Sequence, residues 1–232
     1  MNQDVWEATR IVYNKSVCLI GGAFDRKLDL SRFDIVCWAN NHYIPGYRCD
    51  AIVAIGCIPV PERLKKESLE LLLVQTPGRH LEEWLSLKAK VSLVYCPFVH
   101  AGDCPHGPEQ AVFARLHSKL ETRPFTGINA INWFIHQPIR SLYVTGMTFY
   151  QRESDGAIPW CRGPHHTDPQ RRWLGHQAEI DPRIELDQKL KELCTFPSKP
   201  RKIYETLERD EDAIWKVREF TEVQSEAVIG QE

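Results

Sequence analysis

Two glycine-containing segments, far apart in the sequence, carry the residue types best suited to holding a phosphate. In the first, the apolar run 16–20 leads directly into Gly21-Gly22. In the second, Thr126-Gly127 opens an apolar helical stretch, and a further apolar run follows at 141–145. Glycine lets backbone amides approach a phosphate without an intervening side chain. A hydroxyl at a helix N-terminus adds a ready anion site. Together the segments predict an enzyme that uses a nucleotide-activated donor.

Each binding candidate also has a plainer interpretation. Gly21-Gly22 fits neither the dinucleotide nor the P-loop fingerprint, so it also reads as a simple tight turn. Asn40-Asn41 ends the second predicted strand, where an amide can donate to a phosphate or ribose oxygen, although Asn is also a common turn residue. Thr126 also fits a helix cap, which is compatible with anion binding.

Three histidines stand in a segment that is rich in Arg, His, Pro and Gly, residues 151–181. This segment is predicted to be an irregular, mobile loop, and long loops in compact domains are often functional. His176 is followed by Glu179 and Asp181, and a histidine with a carboxylate neighbour can act as a general base. His165 and His166 are the other candidates. The alternative is a set of solvated surface histidines.

A cluster of cysteine and histidine residues precedes the second glycine segment. Its spacing, C-x3-H-x3-C-x-H, fits no familiar zinc module. We therefore expect no metal, and incidental thiols and imidazoles are the favoured interpretation. The cluster comprises Cys96, His100, Cys104 and His106.

Composition indicates a globular domain whose net charge is too close to zero to attract polyanions. The chain has 232 residues, 43% hydrophobic and 26% charged, with a formal net charge of -2. Nucleic-acid binding would therefore need a local basic patch. The polar start suggests neither a signal peptide nor a membrane anchor, and hence a cytoplasmic protein. Eight cysteines without an export signal predict free thiols, with Cys18, Cys37 and Cys57 in apolar, strand-like surroundings.

The elements that must position these residues alternate between strand and helix. Such alternation predicts a Rossmann-like α/β fold, a single parallel sheet with helices on both faces. We expect one catalytic domain over residues 1–196 and a charged, helical tail over 197–232. A helix is also predicted to start at Pro182-Arg183-Ile184. The predicted strands are 17–21, 34–39, 51–55, 70–74, 91–95 and 141–145.

The order of these segments resembles the motifs of the sialyltransferase family, glycosyltransferase family 29. Gly21-Gly22 followed by residues 34–40, which read DIVCWAN, resembles the long sialylmotif, V-G-N-S/G and then D-x-V-I-R-x-N. Residues 124–127, PFTG, followed by a helix and 142–150, LYVTGMTFY, resemble the short sialylmotif. His165 or His166 falls where the third motif brings a histidine, and His176 falls where the last motif brings its catalytic histidine.

The resemblance implies an inverting, metal-independent transfer without a cofactor, from a CMP-sugar-like donor to a glycan or another hydroxyl acceptor. It places the donor phosphate against Gly21, Gly22 and Asn40, with Thr126-Gly127 helping to hold the donor. His176 would deprotonate the acceptor, and His165 or His166 would stabilise the leaving phosphate.

The chain departs from the pattern at two positions. Gly22-Ala23 stand where the motif has Asn-Ser, and Trp38 replaces its arginine. The donor pocket is therefore not expected to be tuned to CMP-sialic acid itself. The chain looks like a short microbial or viral relative of the family.

Two other functions compete with this one. The first is a glycosyltransferase that acts on a hydroxylated base in DNA, and the near-neutral net charge counts against it. The second is a non-catalytic nucleotide-binding module, which the missing motif asparagine favours. The basic and aromatic residues that would grip DNA are Arg152, Arg162, Arg171, Arg172, Trp160 and Trp173.

Overall fold

The structure is a computed structural model, and it describes residues 3–40, 42–75, 79–95, 116, 120, 124–149 and 167–195. Residues Met1–Thr195 form one compact unit. The predicted tail at 197–232 lies outside the described residues, so its helical character and the boundary at residue 196 stay predictions.

A seven-stranded parallel sheet forms the centre of the molecule, in the order β5-β4-β3-β2-β1-β6-β7. This confirms the predicted fold class, a single parallel α/β sheet flanked by helices. The runs predicted as strands are all strands, with ends that shift by at most a few residues. The strands are β1 Ser16–Ile20, β2 Ile35–Ala39, β3 Ala51–Ile55, β4 Ser68–Gln75, β5 Lys88–Tyr95, β6 Ser141–Thr145 and β7 Ile184–Leu186.

Helices and short turns of 3-10 helix connect the strands. None of the helices in the described part of the chain is long and apolar enough to cross a membrane. The helices are α1 Gln3–Val12, α2 Leu81–Leu85, α3 Thr126–Ile135, α4 Thr167–Ile180 and α5 Gln188–Thr195, and the 3-10 turns are Leu30–Arg32 and Glu62–Lys66.

Both faces of the sheet are buried, because successive strand residues point to opposite sides. Val17 and Leu19 of β1 join one apolar cluster with residues of α1, α3, α4 and α5. Cys18 and Ile20 of the same strand join a second cluster, closed by the 3-10 turns and by Trp84 of α2. The longer helices therefore cover one face, while α2, turns and loops cover the other.

The strand order reverses beside β1. The chain proceeds from β1 through β5 in one direction and then returns to place β6 on the other side of β1. In open parallel sheets, ligands bind beyond the carboxyl ends of the strands at such a switch point. The β1–β6 junction, defined as residues 21–24 and 146–147, is therefore the first place to look for a site.

Two elements differ from the sequence prediction. The helix expected from Pro182 begins only at Gln188, as α5. Its predicted first residues form the strand β7 instead, since Ile184 and Leu186 are buried and Glu185 between them is exposed, a period of two. Residues 167–180, expected within an irregular loop, form α4. Trp173 and Leu174 give α4 an apolar face against the core.

The cysteines in the described residues are free thiols, as predicted. Burial raises the pKa of Cys18 to about 12, so this thiol stays protonated at neutral pH. Cys57 corrects the expectation of burial, because it lies in the turn that follows β3 and is exposed.

Candidate functional site at the carboxyl edge of the sheet

The two glycine segments meet at the β1–β6 junction. The amide of Gly21 donates to the carbonyl of Thr145 at 2.8 Å, and the amide of Ala23 donates to the carbonyl of Gly146 at 2.9 Å. Gly146 has φ +72°, a left-handed conformation that favours glycine. A Cβ on Gly146 would lie 3.0 Å from backbone atoms of Ala23 and Phe24. Glycine at this position therefore allows the two turns to pack together.

Gly21 and Gly22 have different surroundings. Gly21 is buried, and a Cβ there would lie 2.6 Å from the carbonyl oxygen of Gly146. Its missing side chain thus makes room for the neighbouring turn. Gly22 is exposed, and within the described residues its amide makes no hydrogen bond. Of the two glycines, Gly22 is the one that offers a free donor at the edge.

Helix α3 starts beside this junction with Thr126 as its first residue. The N-cap is Phe125, whose side chain makes no capping bond, so the expectation that Thr126 caps the helix is wrong. The first amides of any helix lack partners within that helix. Gln75 at the end of β4 donates to the carbonyl of Thr126 at 2.9 Å. Gln170 of α4 accepts from the amide of Phe125 at 2.8 Å.

The side chain of Met147 separates the glycine turn from the start of α3. A Cβ on Gly21 would lie 3.1 Å from Met147 Cγ, and a Cβ on Gly127 would lie 2.5 Å from Met147 Cε. Gly21 and Gly127 therefore both lie against the side chain of Met147, and their assignment to one binding site stays a prediction. Methionine is flexible and adapts readily to irregular spaces.

Asn40 follows β2 at the same edge of the sheet. Its φ of +53° turns the chain out of the strand, and its amide donates to the carbonyl of Val53 at 2.6 Å. Its side-chain oxygen is buried and has no hydrogen-bond partner in the described part of the chain. That oxygen can accept from a water molecule or from a ligand. Asn41 lies outside the described residues.

His42 is a residue of this edge that the sequence did not indicate. Its imidazole lies against Gly22, and a Cβ on that glycine would be 3.0 Å from His42 Cε1. The surrounding protein displaces water from the ring, and the charge of Arg63 opposes protonation. Both effects lower the pKa of His42 below its usual value, although part of the residue is exposed. The imidazole is therefore mostly neutral at neutral pH.

Asp187, also not predicted, holds the turn after β6. Its Oδ2 accepts from the amide of Gly146 at 3.0 Å, and its Oδ1 accepts from the amide of Leu190 at 2.7 Å. The same carboxylate thus caps α5 and supports the left-handed glycine. The available sequence signal was an Asp placed three residues before an apolar helical position, which is typical of an N-cap.

His176 lies near the middle of α4 and is exposed. It stands six residues after Gln170, which is about 9 Å along the helix axis at 1.5 Å per residue. Gln170 marks the end of α4 at the carboxyl edge, so His176 lies further toward the opposite edge. This places His176 further along α4 from the start of α3 than Gln170 is.

The carboxylate expected to orient His176 has another partner. Asp181 Oδ2 accepts from Arg183 Nη2 at 2.7 Å, and this hydrogen bond lowers the pKa of Asp181. Arg183 in turn donates to the carbonyls of Ile135 and Gln137 at the end of α3. The pair therefore closes a helix end. Glu179 is exposed on the same helix.

Several predicted residues lie outside the described part of the chain. These include His165 and His166, so their catalytic roles stay predictions. Among the described residues, no group of three or more histidines, cysteines and carboxylates is placed to hold a metal ion. The Cys/His cluster of residues 96–106 is outside that set.

Trp38 and three of the predicted DNA-contacting residues lie in the described part of the chain, whereas Arg152, Trp160 and Arg162 lie outside it, and Arg172 is exposed. Trp38, in place of the motif arginine, is fully buried, and its indole N–H donates to the carbonyl of Arg48 at 2.9 Å. Trp38 is therefore part of the hydrophobic core. Arg171 and Trp173 are also buried, which removes them from any surface that could grip or stack on DNA.

Comparison with known proteins gives one distant likeness in fold. No sequence-family model matches the chain, and no curated protein matches it. Among solved structures, it is similar to the sialyltransferase CstII from Campylobacter jejuni, in complex with the substrate analogue CMP-3FNeuAc. The two share 16% identity, with 74% of this chain and 78% of that chain covered and a TM-score of 0.44. A likeness this distant concerns the arrangement of sheet and helices and says nothing about the site.

Proposed function

We propose that this chain is a glycosyltransferase that binds a nucleotide-activated sugar at the β1–β6 junction and transfers the sugar to a hydroxyl acceptor. One observation carries the proposal. The two segments that resemble sialylmotifs are remote in sequence. They are hydrogen-bonded to each other at the switch point of the sheet, with Gly21 N and Thr145 O 2.8 Å apart. Ligands bind at this place in open parallel sheets.

Donor binding would use backbone groups. The free amide of Gly22 and the first amides of α3 at Thr126 and Gly127 are suited to phosphate oxygens. The unpartnered side-chain oxygen of Asn40 is suited to a hydroxyl or amino group of the nucleoside. Because Met147 lies between the turn and the helix, its side chain would move or pack against the donor.

The transfer would break the bond between the anomeric carbon and the donor phosphate oxygen, which leaves with the bonding electrons. The acceptor oxygen would form the new bond, and a base would take its proton. From the sequence, His176 was the predicted base. Since His176 is exposed and lies about 9 Å further along α4 than Gln170, we propose that the base is His165 or His166. A positioned base contributes typically 10²–10⁴-fold to the rate.

A panel of CMP-, UDP- and GDP-sugars tests the proposal by thermal stabilisation and by release of free nucleotide. We expect one nucleotide class to raise the melting temperature and to be turned over. Stabilisation without turnover, with acceptors supplied, would identify a non-catalytic nucleotide-binding module instead. No stabilisation by any member would contradict the proposal.

A further inference from the structure

The imidazole of His42 occupies the space that a side chain at position 22 would fill. A Cβ on Gly22 would lie 3.0 Å from His42 Cε1, 3.1 Å from Nδ1 and 3.3 Å from Nε2. These three atoms form the nitrogen-bearing edge of the ring. Because the three distances are so similar, the Cβ position lies over the face of the ring, on the side that bears both nitrogens.

The backbone on both sides of His42 is held in place. Before it, Asn40 adopts its left-handed conformation, and the amide of His42 returns to the carbonyl of Ala39 at 3.3 Å. After it, Tyr43 is 2% exposed and donates its hydroxyl to Glu67 Oε1 at 2.6 Å. Asn40 and Tyr43, each held by a hydrogen bond, thus anchor the chain close to His42.

Next to this ring lies a free amide. The amides of Gly21 and Ala23 are bonded to the turn after β6, whereas Gly22, exposed between them, has no hydrogen-bond partner in the described residues. An anion that accepts from the Gly22 amide would therefore also be close to the imidazole nitrogens of His42. A neutral imidazole still carries one N–H donor, and a protonated one carries two.

We propose that His42 contacts the ligand, donating a hydrogen bond from its imidazole to a phosphate held at the Gly22 amide. The inference rests on the proposed function, because it names a phosphate-contacting residue of the same site. It also accounts for the missing motif asparagine. Position 22 has no side chain because the polar group comes from His42, beyond the neighbouring strand.

The proposal has a consequence for the titration of His42. The charged group that acts on the ring among the described residues is Arg63, which together with the loss of water lowers the pKa of His42. A bound phosphate would stabilise the protonated ring, and so its binding should raise this pKa. By linkage, phosphate affinity should increase as pH falls through the range in which His42 titrates.

Imidazole NMR titrations of the wild type test this inference, with inorganic phosphate and CMP as probes and calorimetry run in parallel. We expect either probe to raise the pKa of His42 and to leave the imidazole NMR signals of His136, at the far end of α3, in place. If CMP binds and His42 does not respond, the inference is overturned while nucleotide binding stands. If phosphate shifts His42 but CMP binds no better than phosphate, the inference holds and the nucleotide proposal fails. If neither probe binds, both fail.

A double-mutant cycle tests directly whether His42 takes the place of the missing motif asparagine. His42→Ala should weaken CMP binding about tenfold, since it removes one hydrogen bond to a charged group. Gly22→Asn in the His42→Ala background should restore most of that loss, because the new amide would enter the vacated space. His136→Ala is the control and should bind CMP like the wild type. Wild-type affinity in a folded His42→Ala variant, or no recovery in the folded double variant, would overturn the inference.

Discussion

The two edges of the sheet differ in whether their polar groups have hydrogen-bond partners. At the amino edge, Asp34 Oδ2 accepts from the amide and hydroxyl of Ser16 at 2.8 and 2.9 Å, and from Arg140 at 2.7 Å. At the carboxyl edge, the Gly22 amide and the Asn40 side-chain oxygen have no partner in the described residues. One edge is closed by the protein's own side chains, and the other leaves a donor and an acceptor open.

This difference separates polar residues that hold the fold from polar residues suited to a ligand. Buried polar groups are almost always paired. Arg183 illustrates this, because it bonds to Asp181 and to a carbonyl at the end of α3 without any ligand. Polar groups that lack a partner at a switch point instead indicate a bound ligand or water. Perturbing each edge should therefore affect different properties, binding at one and stability at the other.

The largest effect should come from Gly22→Val, which we expect to abolish nucleotide binding in a folded protein. The residue is exposed and its φ lies outside the left-handed region, so valine is conformationally acceptable. Its branched side chain would cover the amide and displace His42. Calorimetry with the best nucleotide measures binding, and thermal unfolding checks the fold. Unchanged affinity in the folded variant would remove Gly22 from the site.

Gly21→Ala should instead lower the free energy of unfolding by about 2–3 kcal/mol, the upper part of the usual range for forced overpacking. The added Cβ would lie 2.6 Å from a backbone carbonyl oxygen, that of Gly146, which cannot move aside as a side chain can. Chemical denaturation measures the loss. Gly22→Ala is the matched control, since the three atoms nearest to its Cβ all belong to the His42 side chain, and it should cost less than about 1 kcal/mol. Equal losses in the two variants would contradict the distinction between these glycines.

The elements of the sheet were largely predictable from the sequence, and the site was only partly so. The runs 51–55 and 141–145 are apolar and β-branched, and they form strands with the predicted bounds. β7 was missed because an Ile-x-Leu pattern of three residues also fits a helix. α4 was missed because Gln170 and Arg171 are part of its buried face.

The position of His42 over Gly22 could not be inferred from the sequence, because it depends on contacts between residues of different strands. Likewise, the sequence does not indicate that Gly21 and Gly22 have different roles. Only the approach of Gly146, from the far side of the switch point, gives Gly21 a packing role and leaves Gly22 open.

At the amino edge, Asp34→Asn should cost about 1–2 kcal/mol in unfolding free energy and leave nucleotide affinity unchanged. The hydrogen bond from the Ser16 amide, then that from its hydroxyl, and the charge of Arg140 lower the pKa of Asp34. A lowered folded-state pKa stabilises the fold above the unfolded value of about 3.9, and this contribution disappears as pH falls through the folded-state pKa.

The stability difference between wild type and Asp34→Asn should therefore be constant above about pH 5 and shrink below about pH 4. Glu7→Gln, in the exposed pair with Arg10, is the control and should change stability by less than about 0.5 kcal/mol. A loss of nucleotide affinity in Asp34→Asn would show that the two edges are coupled.

The smallest effect is expected for His176→Ala, which should keep turnover within about threefold of the wild type, far from the 10²-fold or greater loss typical of a removed general base. The sequence order, together with Glu179 and Asp181 close behind, predicts the catalytic role for His176. In the structure, however, it is exposed near the middle of α4, and Asp181 behind it is bonded to Arg183. Among the residues that the structure describes, the side chain of His176 takes part in no hydrogen bond or ion pair, so we expect it to support neither the fold nor the site. His165→Ala and His166→Ala, measured in the same assay, provide the contrast, and one of them should lose at least 10²-fold in turnover. A comparable loss in His176→Ala with unchanged donor affinity would show that the middle of α4 reaches the acceptor, and the site would then extend well beyond the carboxyl edge.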